Sequence, residues 1–361
     1  MTEDTTGKVL TVRGPIEPGE LGTTIMHEHL FIALLKQVAP DENTPTSDLA
    51  LWDQKLTLEN LHLARERKPI LDNWVLSDEQ LAIDEAMEYR KMGGDTIVEV
   101  TSTGIHRDPV GLLRVSNATG LNVVMGAGWY QKLYHPENMD ERTVEDMAEE
   151  IIRDITVGVG DTGIRSGIIG EVGVQGGPIE PNEVKSIRAS VRASRATGAA
   201  ISLHLGGQGR EKLQTMAIMD EEGVDRSRVI FGHIDSSAAD VPLLLELLEH
   251  GVYVQFDNMG RVGVPLDLAP RDDRVGFTLP LTALVAEAIP KLIEAGYADR
   301  ILLSQDVCTK MQLKRIGGTG YSFIMEKFLP EMRSRGVSEE HIQMMMVDNP
   351  KRILTFAEPM P

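Results

Sequence analysis

Cysteine is almost absent from this chain of 361 residues: Cys308 stands alone. No intramolecular disulfide and no cysteine-rich zinc site can form, and without an evident base nearby Cys308 is not read as a nucleophile. Long apolar runs are missing too, since none approaches the ~20 residues a membrane span requires. The opening Met1-Thr2-Glu3-Asp4-Thr5-Thr6-Gly7-Lys8 lacks the basic-then-apolar order of a signal peptide. These absences give the expectation of a cytoplasmic protein. Positive charge is scarce, with 36 Lys and Arg against 55 Asp and Glu and a formal net charge of −19. That balance argues against nucleic acid and anionic membranes as partners, and leaves a small-molecule substrate. No Gly-x-Gly-x-x-Gly turn follows the first apolar strand, which disfavours an open doubly wound sheet.

What is present is a regular alternation. Apolar strand-like runs end near residues 29, 101, 128, 173, 204, 233, 257 and 306, and a helical pattern follows each. The helix carrying Val241, Leu244, Leu245 and Leu248 shows the i, i+3, i+4, i+7 stripe of an amphipathic helix. Several of the strands are apolar throughout, as expected of a parallel sheet covered on both faces. Eight such units predict an α/β fold, a (β/α)8 TIM barrel, as one hydrolase domain over residues 1–361. Residues 1–21 read as an N-terminal hairpin or lid, and 22–361 as the barrel and terminal helices. Pro40 to Asn73 and Met259 to Thr278 are long enough to be lids at the strand ends. Ser77-Asp78-Glu79-Gln80 opens a helix, and Pro290 is a point where a later helix could kink.

In such a barrel the chemistry lies at the C-terminal ends of the strands. His27 and His29 end the first strand; residues i and i+2 of a strand share a face, so both reach one point while Glu28 turns away. Glu171 ends the fourth strand, His204 the fifth, His233 the sixth, and Asp306 the eighth. Any one of these taken singly reads more simply as a structural histidine or a helix cap. Six metal-ligand residue types at equivalent positions on five strands form a different signal. Four imidazoles and two carboxylates suit two divalent ions, zinc first, with Mn²⁺, Co²⁺ or Fe²⁺ as alternatives.

This constellation resembles the amidohydrolase superfamily. Met26-His27-Glu28-His29-Leu30-Phe31, Phe231-Gly232-His233-Ile234-Asp235, Gly317-Gly318-Thr319-Gly320-Tyr321 and Asp348-Asn349-Pro350 are similar to phosphotriesterase-family sequence, nearest its phosphotriesterase-related branch. The resemblance implies that His27, His29 and Asp306 hold a buried metal and that His204 and His233 hold a more exposed one. Glu171 and a hydroxide would bridge the two. It implies a lactonase or carboxylic ester hydrolase in which that hydroxide attacks and Asp306 shuttles the proton. C–N hydrolysis and incidental phosphotriester cleavage are the alternatives on the same site, and a non-enzymatic binding protein is a distant third. A homodimer is implied as well. Well-known relatives carry a carboxylated lysine on the fourth strand, where this chain has Glu171. A glutamate needs no CO2 adduct but is shorter, so the fourth strand is expected to bulge or the metals to shift. Among residues that might read the substrate, Tyr130 follows the third strand. Lys310, Lys314 and Arg315 follow Asp306 and are expected to meet an anionic, phosphorylated or carboxylated group, or else to be solvated or salt-bridged.

Overall fold

The structure, a computed structural model, describes residues 5–207, 209–261 and 281–360. One sheet of eight strands holds the centre, each strand parallel to its neighbours and placed in sequence order. They are β1 (Thr24–Glu28), β2 (Thr96–Glu99), β3 (Asn122–Ala127), β4 (Ile168–Gly173), β5 (Ile201–His204), β6 (Val229–Phe231), β7 (Tyr253–Phe256) and β8 (Ile301–Leu303). Apart from Asn122 every strand residue is buried, which is why the strands read as unbroken apolar runs rather than alternating ones. The helices that follow are α1 (Glu79–Lys91), α2 (Pro109–Thr119), α3 (Val144–Thr156), α4 (Pro181–Thr197), α5 (Glu211–Glu221), α6 (Val241–Glu249) and α7 (Leu281–Glu294). Shorter helices after β8 complete the eighth unit. The predicted (β/α)8 barrel is the fold.

Local chemistry sets the helix boundaries. Asp78 caps α1 by accepting from Leu81 N–H at 3.0 Å, and Asp108 caps α2 from Gly111 N–H at 2.9 Å. Gly120 and Gly198 end α2 and α4 in the left-handed region, at φ +74° and +77°, where a side chain would be strained. Pro290 does not break α7, which runs through it.

The N-terminal hairpin forms, Val9–Thr11 pairing antiparallel with Gly14–Ile16. Val12 N–H reaches Val123 O at the start of β3, and Val9 packs with Met26, Val98, Val124 and Ile230. The hairpin therefore closes the N-terminal end of the barrel and is no lid on the mouth. The insertion between β1 and α1 does lie at the mouth. Its residues Leu56, Ala64 and Ile70 pack with Met311 and Ile316 from the loop after β8. Within the insertion Leu61–Arg65 forms a short helix. Of the expected lid after β7, Met259 to Thr278, all but Met259, Gly260 and Arg261 lies outside the described residues.

β8 meets β1 to complete the ring. Asp306 N–H reaches His27 O at 3.2 Å, and Ser304 Oγ accepts from His27 N–H at 2.8 Å.

Candidate metal centre

The six strand-end residues singled out in the sequence converge. Glu171 is the hub: its Oε2 lies 3.2 Å from His27 Nε2, 2.7 Å from His204 Nδ1 and 3.7 Å from His233 Nε2, and its Oε1 lies 3.4 Å from His29 Nε2. Asp306 Oδ1 faces His29 Nε2 at 3.3 Å. Two groups of donor atoms are close enough to share an ion: His27, His29 and Asp306, and His27, Glu171 and His233. The first is the set expected for the buried metal. The burial gradient runs the same way, with His27 and His29 at most 1% exposed against 9% and 6% for His204 and His233.

Backbone geometry aims these side chains. His233 and Asp306 both take φ +50°, a left-handed conformation that turns the chain sharply as it leaves β6 and as it passes the end of β8. The pairing of β4 with β5 shifts register between Ile169 and Val172, so β4 bulges at Glu171. That bulge is one of the two adjustments expected for a glutamate standing in for a longer ligand, the other being a shift of the metals. Gly126 of β3 makes room for it: a Cβ there would sit 1.9 Å from Gly170 O.

A ring of outer partners fixes the imidazoles. His233 Nδ1 meets Asp257 Oδ1 at 2.7 Å, so it carries the proton and leaves Nε2 free toward Glu171. His29 Nδ1 meets Thr101 Oγ1 at 2.8 Å, and that hydroxyl donates to Glu99 Oε1 at 2.6 Å. His27 Nδ1 faces Asp257 Oδ2 at 3.4 Å. His204 is turned the other way: Nδ1 points into the cluster and Nε2 meets the Tyr130 hydroxyl at 3.2 Å.

The residues fit a divalent metal on three observations. His27 Nε2 is buried and makes no hydrogen bond. His204 Nδ1 and His233 Nε2 face each other at 2.9 Å and both point at Glu171 Oε2. The field is also one that draws in cations. Burial opposes a charge on His29, but Asp306 and Glu171 outweigh it and hold its pKa up at about 9. Burial likewise opposes a charge on His233, and Asp257 with Glu171 overcomes it. Buried Glu171 would by itself rise, yet the surrounding His204 and His27 hold it well below the usual carboxylate range.

Beside the cluster opens a cavity of about 510 Å³. Leu34, Val38, Trp74 and Met311 give it an apolar wall; Tyr130, His204, His233, Asp306 and Arg261 line its chemical side. The sequence reading leaves Lys310, Lys314 and Arg315 either at the substrate or solvated and salt-bridged; none of them lines this cavity, and the salt-bridged reading holds. Lys310 pairs with Asp72 at 2.8 Å, Lys314 with Glu326, and Arg315 with Asp84 at 3.5 Å, while the backbone N–H groups of Lys314 and Arg315 both donate to the buried Glu85. These cations fasten the loop after β8 to the insertion, to α1 and to the helix that follows. Tyr130, in contrast, does line the cavity. Asp257 and Arg261 escape the sequence reading. Asp257 directly follows β7, the same strand-end position that exposes the six ligands; Arg261 carries no such signal.

Comparison with known proteins agrees with the geometry. A sequence profile described as the phosphotriesterase family matches residues 7–354. The N-acetyltaurine hydrolase of Dictyostelium discoideum is 37% identical over 97% of this chain and 98% of its own length. The crystal structure of a resiniferatoxin-binding protein from Rhodobacter sphaeroides superposes with a TM-score of 0.87 at 36% identity, covering 96% of this chain and 95% of that one. The lactonase Lmo2620 of Listeria monocytogenes, at 24% identity and a TM-score of 0.77 over 97% of this chain and 100% of its own, shares the fold.

Proposed function

The chain belongs to the phosphotriesterase family, and on that premise we propose that it is a metal-dependent hydrolase of small N-acyl amides, cutting the carbonyl–nitrogen bond. The observation that carries the amide reading is the near full-length similarity to an N-acetyltaurine hydrolase, joined to a cluster with all six ligand-type residues in place. A divalent pair held by His27, His29, Glu171, His204, His233 and Asp306 would supply a polarised acyl carbonyl and a water acidic enough to attack at neutral pH.

The chain's own residues account for the rest. Glu171 holds four imidazoles around one carboxylate and keeps the cluster's charge balanced. Asp257 and the Thr101–Glu99 pair lock the rings of His233 and His29 in the tautomers that leave Nε2 free. Asp306 takes the proton of the attacking water and returns it to the departing nitrogen, a delivery an amine leaving group needs more than an alkoxide does. Leu34, Val38 and Trp74 line the cavity and would face an acyl chain bound there.

A second reading is cleavage of lactones or carboxylic esters, the activity placed first in the sequence reading. The same residues would serve it, and the apolar wall favours it as a seat for an alkyl chain. A panel assay separates the two. The protein, stripped and reloaded with Zn²⁺, Mn²⁺ or Co²⁺, is given N-acetyltaurine, N-acetyl amino acids, aliphatic lactones and a phosphotriester. The amide reading expects the highest kcat/KM on an N-acetyl compound. Turnover of a lactone with none of any amide would overturn it in favour of the second reading.

A further inference from the structure

The cavity beside the histidines carries charge of the sign the rest of the chain lacks. Acids outnumber Lys and Arg by 55 to 36 over the whole sequence. Along the described lining of this cavity the order is reversed: Arg67 and Arg261 stand against Asp306. Arg261 lies on the loop that leaves β7, after Asp257-Asn258-Met259-Gly260. Its Nη2 donates to Asp306 Oδ2, while Oδ1 of the same carboxylate faces His29 Nε2 at 3.3 Å. Asp306 thus gives one oxygen to the histidine side and the other to the guanidinium.

That arrangement engages one edge of the guanidinium fork and leaves another without a partner, because Arg261 Nε makes no hydrogen bond. The side chain is anchored at a fixed point beside the cluster, with donor capacity to spare. A planar guanidinium so held binds carboxylate-like or sulfonate-like oxygens in pairs, which a lysine cannot do. Gln131, Gln175 and Asn258 line the same cavity and supply neutral amide groups. Leu34, Val38 and Met311 line the same cavity with apolar side chains that offer nothing to an anion. The cavity therefore combines a guanidinium held beside the reacting centre with neutral amide and apolar lining residues.

We propose that Arg261 binds an anionic group, a sulfonate or a carboxylate, on the amine part of the substrate, so that the enzyme selects negatively charged N-acyl amines over neutral ones. The proposal rests on the acyl-amide reading for the bond that is cut. It replaces the loop after β8 by the loop after β7 as the source of the cation.

The test compares N-acetyltaurine with uncharged N-acetylethanolamine on the metal-loaded protein and on its Arg261→Gln and Arg261→Lys variants. Removing Arg261 also takes a partner from Asp306, so turnover falls on both substrates; the ratio between them is the readout. Arg261→Gln should lower the anionic-to-neutral kcat/KM ratio roughly 10- to 100-fold, mainly through KM, and Arg261→Lys should recover part of it. Calorimetric titration with ethanesulfonate reads the same contact without turnover and should weaken by a similar factor. Unchanged ethanesulfonate affinity in a folded Arg261→Gln or Arg261→Lys variant overturns the proposal. Failure of the wild type to cleave any amide overturns the acyl-amide reading instead, and the titration still decides Arg261.

Discussion

The carboxylate of Glu28 holds the backbone on both sides of Asp306. Its Oε1 accepts from Gln305 N–H and from Gln305 Nε2, each at 2.8 Å, and its Oε2 accepts from Val307 N–H at 2.8 Å. Ser304 Oγ lies 2.6 Å from the same Oε1. Glu28 sits between two ligand-type histidines yet makes none of their contacts; it is the strut that keeps Asp306 at φ +50°. Burial pushes its pKa up to about 7 against these hydrogen bonds, which favour the anion.

Glu28→Gln replaces one acceptor oxygen with a donor that must face another N–H. Affinity for a divalent ion at the His27, His29 and Asp306 group is expected to drop roughly 10- to 100-fold, with a stability loss of about 2 kcal/mol. Calorimetric metal titration and urea unfolding measure the two. A variant that loses stability but binds metal as the wild type does would show that Glu28 supports the fold and not the ligand.

The six ligand-type residues were legible because a parallel barrel puts its chemistry at one repeated position, the strand end. Applied to the seventh strand, the same rule reaches Asp257. A bulge at Glu171 was legible as one of the two adjustments that side-chain length called for. Which of the two readings of the cations after β8 would hold was not legible. Nearness to Asp306 in sequence says nothing about direction, and the partner that turns Lys310 away, Asp72, stands 238 residues back along the chain. Arg261 was hidden for the converse reason: a single arginine in a loop has no periodicity and no fixed spacing to a motif. Glu28 was read correctly as turned from the ligand-type histidines, but its partners come from the segment just after the last strand, which no local pattern reveals.

Metal content should depend on Glu171 more than on any single histidine, since it lies within 3.7 Å of nitrogen atoms from His27, His29, His204 and His233. The wild type is expected to retain two ions per chain after gel filtration, measured by mass spectrometry of the metals, and Glu171→Gln one or fewer. Chelation should lower the wild-type melting temperature, because ions that bind only the folded chain stabilise it by mass action. Two ions retained by Glu171→Gln would remove Glu171 from the bridging position.

Lys212 supplies a pH-dependent prediction away from the centre. It is buried, with Nζ donating to Gly207 O at 2.5 Å, and burial lowers its pKa from 10.5 to about 8, with Glu211 pulling weakly the other way. Between those two values the unfolded chain holds the proton and the folded chain does not, so this residue makes the fold more stable as pH rises through that window. Below about 8 both states are charged and the fold carries a buried cation at a cost on the order of 3 kcal/mol. Lys212→Met should therefore be more stable than the wild type at pH 7, and its advantage should shrink by pH 9.5. A difference that stays constant between urea titrations at the two pH values contradicts this assignment.

The seam between β1 and β8 has a consequence for how the chain matures. Glu28 and its bond to Gln305 N–H span 277 positions, so the first ligands made and the last one wait for almost the whole polypeptide. Until the eighth strand arrives, the growing sheet has two open edges, and His27 and His29 lack the carboxylate of Asp306. Closing the ring and completing the ligand set are one event, sealed by a glutamate that touches no ligand side chain. Metal uptake then becomes a readout of chain completion: a barrel missing its last strand is expected to bind an ion at His27 and His29 no better than Glu28→Gln does.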